Sequence, residues 1–174
     1  LALSACEPGA NLQPLEAPPA NAPYQLSAGD QVRLITFDEQ ALSGQFTIDD
    51  SGNIALPLLG TLPADGLTTH QLADAISSAL RSRKLLADPS VVVEVVKYRP
   101  IFVLGEVQHP GPYAYQPHTT LLSAVALAGG FTPRAVRDRA AVLRAGRTGS
   151  TEGTVGREGP IEPGDVVTIF ERNF

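Results

Sequence analysis

Apolar and polar residues alternate from Gln31 to Phe37, with Val32, Leu34 and Thr36 on one side, a pattern that predicts a half-buried strand. Ala28-Gly29-Asp30 ahead of it reads as a turn. Gln45–Ile48 and Asn53–Leu56 flank Asp49-Asp50-Ser51-Gly52, whose residue types suit a tight turn, so these two segments are expected to pair as a hairpin. The stretch that follows, LPLLGTLPADGLT, is apolar but broken by Pro57, Gly60, Pro63 and Gly66, and reads as an irregular loop with a buried spine. Thr68 with Gln71 three residues on forms a capping box, and Leu72, Ile76 and Leu80 recur at helical spacing, so residues 69–83 should be an amphipathic helix. Arg81, Arg83 and Lys84 close it, as suits the negative end of the helix dipole. Val91–Tyr98 is a continuous β-branched run and predicts a strand buried on both faces.

A second series of elements follows. Ile101–Leu104 and Tyr113–Tyr115 read as strands joined across Gly105 and the Pro110-Gly111 pair. Thr119 or Thr120 caps a short helix through LLSAVALA, and Gly129-Gly130 stops it. Ala140–Leu143 reads as a further strand, residues 146–159 as a glycine-rich loop, and Pro163–Phe170 as a closing turn and strand. Strands around one short helix predict a small β-grasp fold, and the chain as a whole is expected to be α+β.

With 174 residues, 43% hydrophobic and 18% charged, the chain has the composition of a globular protein with a real core. No stretch approaches the roughly 20 consecutive apolar residues a spanning helix needs. The single cysteine excludes an internal disulfide. It stands in Leu3-Ser4-Ala5-Cys6, the shape of a bacterial lipobox, and EPGANLQPLEAPPANAP after it has linker composition. Lipidation is expected at Cys6, with Leu1 to Ala5 the remnant of a signal peptide. Acyl chains there bury about 0.8 kcal/mol per methylene, so residues from Glu7 to Pro23 would tether the folded part to a membrane surface.

YQLSAGD at Tyr24, IDDSGNIALPLLG at Ile48, the GLTTHQLADAI helix and DPSVVVEV resemble the polysaccharide export domain. VLGEVQHPGPY, LLSAVALAGGFTPRA and PGDVVTIF resemble the soluble-ligand-binding β-grasp (SLBB) domain. In this order and with an N-terminal lipobox, the chain resembles the outer-membrane polysaccharide export lipoproteins of bacterial capsule and exopolysaccharide secretion. The division expected is residues 1–21 for leader remnant, lipobox and tether, 22–98 for the export domain and 99–174 for one SLBB domain. The resemblance implies a homo-oligomeric periplasmic ring, anchored to the outer membrane by lipidated Cys6. It would pass a polysaccharide from an inner-membrane co-polymerase and synthase to the outer membrane. Only Phe170–Phe174 follow Ile169, too few to span a bilayer at about 1.5 Å per residue, so the short form of the family is expected, with a separate outer-membrane protein as partner.

A sequence pI near 5.1 argues against nucleic acid as a partner. Residues 22–98 hold nine acids and five bases, and residues 99–174 eight bases and seven acids. Within the second part Arg134, Arg137, Arg139, Arg144 and Arg147 fall close together, and guanidinium forks suit uronate carboxylates and sugar hydroxyls, so these are candidate contacts to an acidic glycan or a neighbouring subunit. The competing reading for each is a solvated surface charge. Catalysis is not expected. Asp49 and Asp50 are adjacent, hence a poor facing pair for glycoside hydrolysis. His70, His109 and His118 are isolated and make no metal motif, and the glycine-rich loop lacks the ending of a phosphate cradle. No cofactor or metal is expected. The alternative to a channel component is a monomeric glycan- or small-ligand-binding accessory module.

Overall fold

A computed structural model describes residues 9–19, 22–37, 39–146 and 149–172. Cys6 and Arg147 lie outside the described residues. The chain divides into two compact units, Ala20–Arg99 and a second running from Pro100 onward that also takes in the N-terminal residues up to Pro19. Strands dominate both, each unit has one α-helix, and the class is α+β.

The first unit contains β1 (Gln31–Thr36), a 3₁₀ turn (Gln40–Leu42), β2 (Gly44–Thr47), β3 (Asn53–Leu56), β4 (Gly60–Pro63), α1 (Thr69–Ser82) and β5 (Val91–Lys97). The order β2-β1-β5 makes an antiparallel sheet. α1 forms where the capping box places it: Gln71 N donates to Thr68 Oγ1 at 3.2 Å, and Thr68 N donates to Gln71 Oε1 at 2.9 Å. Its stripe of Leu72, Ile76 and Leu80 is fully buried with Val32, Leu34 and Ile54.

Three expectations fail here. The Asp49–Gly52 turn exists, but β2 and β3 do not form the hairpin. β2 gives its ladder to β1, β3 pairs with β4, and only an Ile48–Ile54 bridge joins the two segments. The supposed loop therefore contains a strand, because Leu58 and Gly60 take positive φ and fold the chain back. β5 is a sheet edge rather than a strand buried on both sides. Val93 is buried, while Val92 is 49% exposed and Glu94 faces out.

The second unit contains β6 (Ile101–Gly105), β7 (Gly111–Tyr113), α2 (Leu121–Leu127), β8 (Arg139–Gly146), β9 (Gly149–Gly156) and β10 (Val166–Ile169). They form one sheet in the order β7-β6-β10-β8-β9, with β6 and β10 parallel and the other pairs antiparallel. α2 is capped by Thr120, whose Oγ1 accepts from Ser123 N, and packs Leu121, Ala124 and Val125 against Ile101, Val142 and Val167. The stretch from 146 to 159 is no loop: β9 pairs with β8 over eight residues. Its Gly, Ser and Thr content hides a strand because the inward positions are only Gly153 and Val155, and backbone pairing at the sheet edge does the rest.

The N-terminal segment also departs from its composition. Leu15 N donates to Thr154 O at 2.9 Å and Thr154 N donates to Gln13 O at 2.9 Å, so residues 13–15 run along the free edge of β9. Pro14 suits this bridge, since the bonded atoms belong to its neighbours and its missing N–H is not needed.

Candidate functional site

The two units build the same turn ahead of a strand. In Ser27-Ala28-Gly29-Asp30, before β1, Asp30 N donates to Ser27 O at 3.1 Å, and Asp30 Oδ2 accepts from Ser27 N at 2.9 Å. In Glu162-Pro163-Gly164-Asp165, before β10, Asp165 N donates to Glu162 O at 3.1 Å, and Asp165 Oδ2 accepts from Glu162 N at 2.8 Å. Gly29 and Gly164 take φ of +92° and +87°, the left-handed backbone that glycine adopts without penalty. Both aspartates are fully buried. A buried carboxylate must have its lone pairs filled, and the donors come from elsewhere in each unit.

Asp30 receives the Tyr24 hydroxyl at 2.6 Å and Arg99 N at 3.0 Å, with Arg99 Nε at 3.9 Å. Tyr98 stands edge-on to Tyr24, ring centres 5.0 Å apart. Burial raises the Tyr24 phenol well above its ordinary value, and its hydrogen bond to the Asp30 carboxylate raises it further. Tyr98 is raised too, first by burial and then by the same carboxylate. Asp165 instead receives the Arg144 fork, Nε to Oδ1 at 3.0 Å and Nη2 to Oδ2 at 2.7 Å. Glu162 takes the remaining nitrogen of Arg144 at 2.6 Å. Burial alone would lower the proton affinity of that guanidinium, but the hydrogen bond and charge of Asp165, with Glu162 adding, hold it above the ordinary arginine value.

The four described candidate arginines stand in different surroundings. Arg144 is a structural residue: all three of its guanidinium nitrogens are engaged by Asp165, Glu162 and the Pro160 carbonyl, and its side chain is 16% exposed. Arg134 pairs with Glu171 beyond β10. Arg139 opens β8 beside Asp138, 3.6 Å away. Arg137 is exposed, with no ion-pair partner among the described residues. Asp165, with Tyr24 and the Arg99 backbone around Asp30, belongs to the polar architecture beside Arg144 without having been a candidate, and the signal that could have found the two aspartates is the repeated Gly-Asp before a valine-containing strand, at 29–30 and 164–165.

Among the described residues, the carboxylates and histidines considered for chemistry are occupied or apart. Asp49 Oδ1 accepts from Ser51 N and Asn53 N, both at 2.9 Å, so it ties its turn. His70 sits on α1 beside Asp74, while Tyr113 donates its hydroxyl proton to the backbone carbonyl of His109.

What the molecule presents outward is apolar sheet surface. In the second unit Phe102, Val166 and Leu143 are cross-strand neighbours on the face away from α2, with Leu104 in the next row. Phe102, Leu104 and Leu143 are each 40–42% exposed. In the first unit Ile35 lies opposite Val92 on the outward face, with Phe37 just beyond at 71% exposure. A solvated sheet face normally alternates to polar residues, so these faces are suited to contact.

Comparison with known proteins agrees with this division. Residues 18–96 match the family of polysaccharide biosynthesis/export proteins, and residues 100–157 match the SLBB domain. The exopolysaccharide production protein ExoF of Rhizobium meliloti (strain 1021) is 46% identical over 95 residues, covering 54% of this chain and 23% of that protein. The polysialic acid transport protein KpsD of Escherichia coli is 27% identical over 115 residues, covering 65% of this chain and 20% of that protein. The chain thus spans less than a quarter of the length of either relative.

Proposed function

Because this chain belongs to the polysaccharide export family, with an export domain followed by an SLBB domain, we propose that it is a non-enzymatic, lipid-anchored periplasmic component of a bacterial exopolysaccharide or capsule export channel. Copies assemble as a ring and guide polymer from an inner-membrane co-polymerase towards the outer membrane, where a further protein receives it. The observation that carries this reading is the order of the two domains in one chain, together with relatives named for exopolysaccharide production and polysialic acid transport. The structure supports a passive role. Its buried carboxylates are spent on holding turns, and both units turn apolar sheet faces outward, where neighbouring copies would cover them. No helix among the described residues is long and apolar enough to cross a membrane.

The test is export in cells lacking the protein, with lipid-linked repeat units and extracellular polymer quantified together. The channel reading expects extracellular polymer to vanish while lipid-linked repeats are still made. Normal polymer yield with altered length or decoration would instead identify a binding accessory. In the same cells Cys6→Ser should move the protein from the membrane fraction to the soluble periplasmic fraction.

A further inference from the structure

The edge of β9 is an interaction surface with its occupant in place. Thr154 spends its outward N–H and C=O on Gln13 and Leu15, and Leu15 packs its side chain against the core of the second unit. The core is reachable there because position 153 is glycine. A Cβ on Gly153 would stand 2.6 Å from Gln13 O and 2.8 Å from Leu15 Cγ, too close for either to remain. The contact begins earlier in the chain, since a Cβ on Gly9 would stand 2.6 Å from Cζ of Phe170, and Leu12 N closes a turn onto Gly9 O at 3.0 Å. Hydrogen bonds, a side-chain knob and a matching notch thus fasten residues 9–15 to the SLBB unit, although the export unit follows them in sequence.

We propose that residues 9–15 are a latch that assigns the N-terminal anchor to the SLBB unit: whatever holds Cys6 holds that unit, on a leash of three residues. Three extended residues reach about 10 Å, against about 55 Å for the sixteen residues from Cys6 to Ala22 if the latch were open. A lipid on Cys6 then keeps the SLBB unit at the membrane surface. This consequence rests on the lipid-anchor reading above; the latch itself does not.

The experiment has two arms that separate them. In the full chain carrying Cys6→Ser, amide hydrogen exchange at Leu15 and Thr154 is followed beside Val142 in the core. The latch expects Leu15 N–H to be protected at least tenfold. Leu15→Asp and, independently, Gly153→Val should abolish that protection and leave Val142 protected, which shows that the unit is still folded. An unprotected Leu15 amide in the starting protein, or protection that survives both substitutions, overturns the proposal.

In the second arm the lipidated chain, carrying a dye on Ser150→Cys, is placed in phosphatidylethanolamine–phosphatidylglycerol vesicles with an acceptor lipid. Energy transfer should fall at least twofold when Leu15→Asp is added, and unchanged transfer overturns the assignment of the anchor to this unit. Protein recovered from membranes with no acyl mass on Cys6 overturns the anchor reading alone, and the exchange arm still decides the latch.

Discussion

Asp30 and Asp165 occupy the same turn in two different units, and they are neutralised in different ways. The backbone part is shared down to the hydrogen bonds from the residue three positions earlier. The remainder differs. Asp165 is gripped by a guanidinium fork, whereas Asp30 is solvated by a phenol and a backbone amide, with its arginine 3.9 Å away. A Gly-Asp turn is a local solution that can recur wherever a strand begins. The group that makes its buried charge tolerable must be brought by the surrounding fold.

Three substitutions grade that difference. Arg144→Met should have the largest effect, about 3–5 kcal/mol in urea unfolding, because it leaves Asp165 buried without its counter-charge. Tyr24→Phe removes one hydrogen bond to a carboxylate that keeps two backbone donors, and should cost about 1.5–2 kcal/mol. Arg99→Met should be the mildest, at most about 1 kcal/mol, since its buried Nε has no hydrogen-bond partner and methionine retains most of the stem. Equal losses for Arg99→Met and Arg144→Met would dissolve the distinction between the two carboxylates.

Alkaline pH probes the first carboxylate alone. The Tyr24 and Tyr98 phenols titrate higher in the folded protein than the ordinary value of 10.0. Above about pH 10 the unfolded chain therefore releases protons that the folded chain retains. The stabilisation is complete below pH 10 and is lost as pH rises from there towards the folded-state values. Unfolding free energy measured between pH 8 and pH 11 should be level at first and then fall, and Tyr24→Phe should make the fall shallower. An unchanged slope in that variant would show that the phenol is not bound to Asp30 in solution.

The outward sheet faces give the smallest effect on stability. Leu143→Ser and Phe37→Ser should each change unfolding free energy by about 0.5 kcal/mol or less in the isolated chain, as exposed positions do. In the ring reading the same changes should reduce export, because the faces matter only between copies. Export at the normal level in both variants would count against a role for these faces in assembly.

Both helices were legible because their signals are local. Thr68 and Gln71, or Thr120 and Ser123, are three residues apart, and the hydrogen bonds between them form whatever the rest of the chain does. The division into an export unit and a β-grasp unit was legible from short motifs in a fixed order. β4 and β9 were not. Their residues have little strand preference of their own, and they are strands because a partner strand lies alongside. The partners of the arginines were not legible for a related reason: proximity in sequence says nothing of which carboxylate each side chain meets.

The helices, the cap of α1, the two Gly-Asp turns, the family and the α+β class were thus readable from the chain alone, since all of them rest on contacts a few residues long or on motif order. That β5 is an edge, that Arg144 pairs with Asp165 and that residues 13–15 lie on β9 came only from the folded chain. Those outcomes join positions 21 residues apart for Arg144 and Asp165, 69 apart for Asp30 and Arg99, and farther still for Leu15 and Thr154. Such contacts exist only after the chain has met the loop-closure cost of bringing distant segments together, and no local pattern records which pairs it will join.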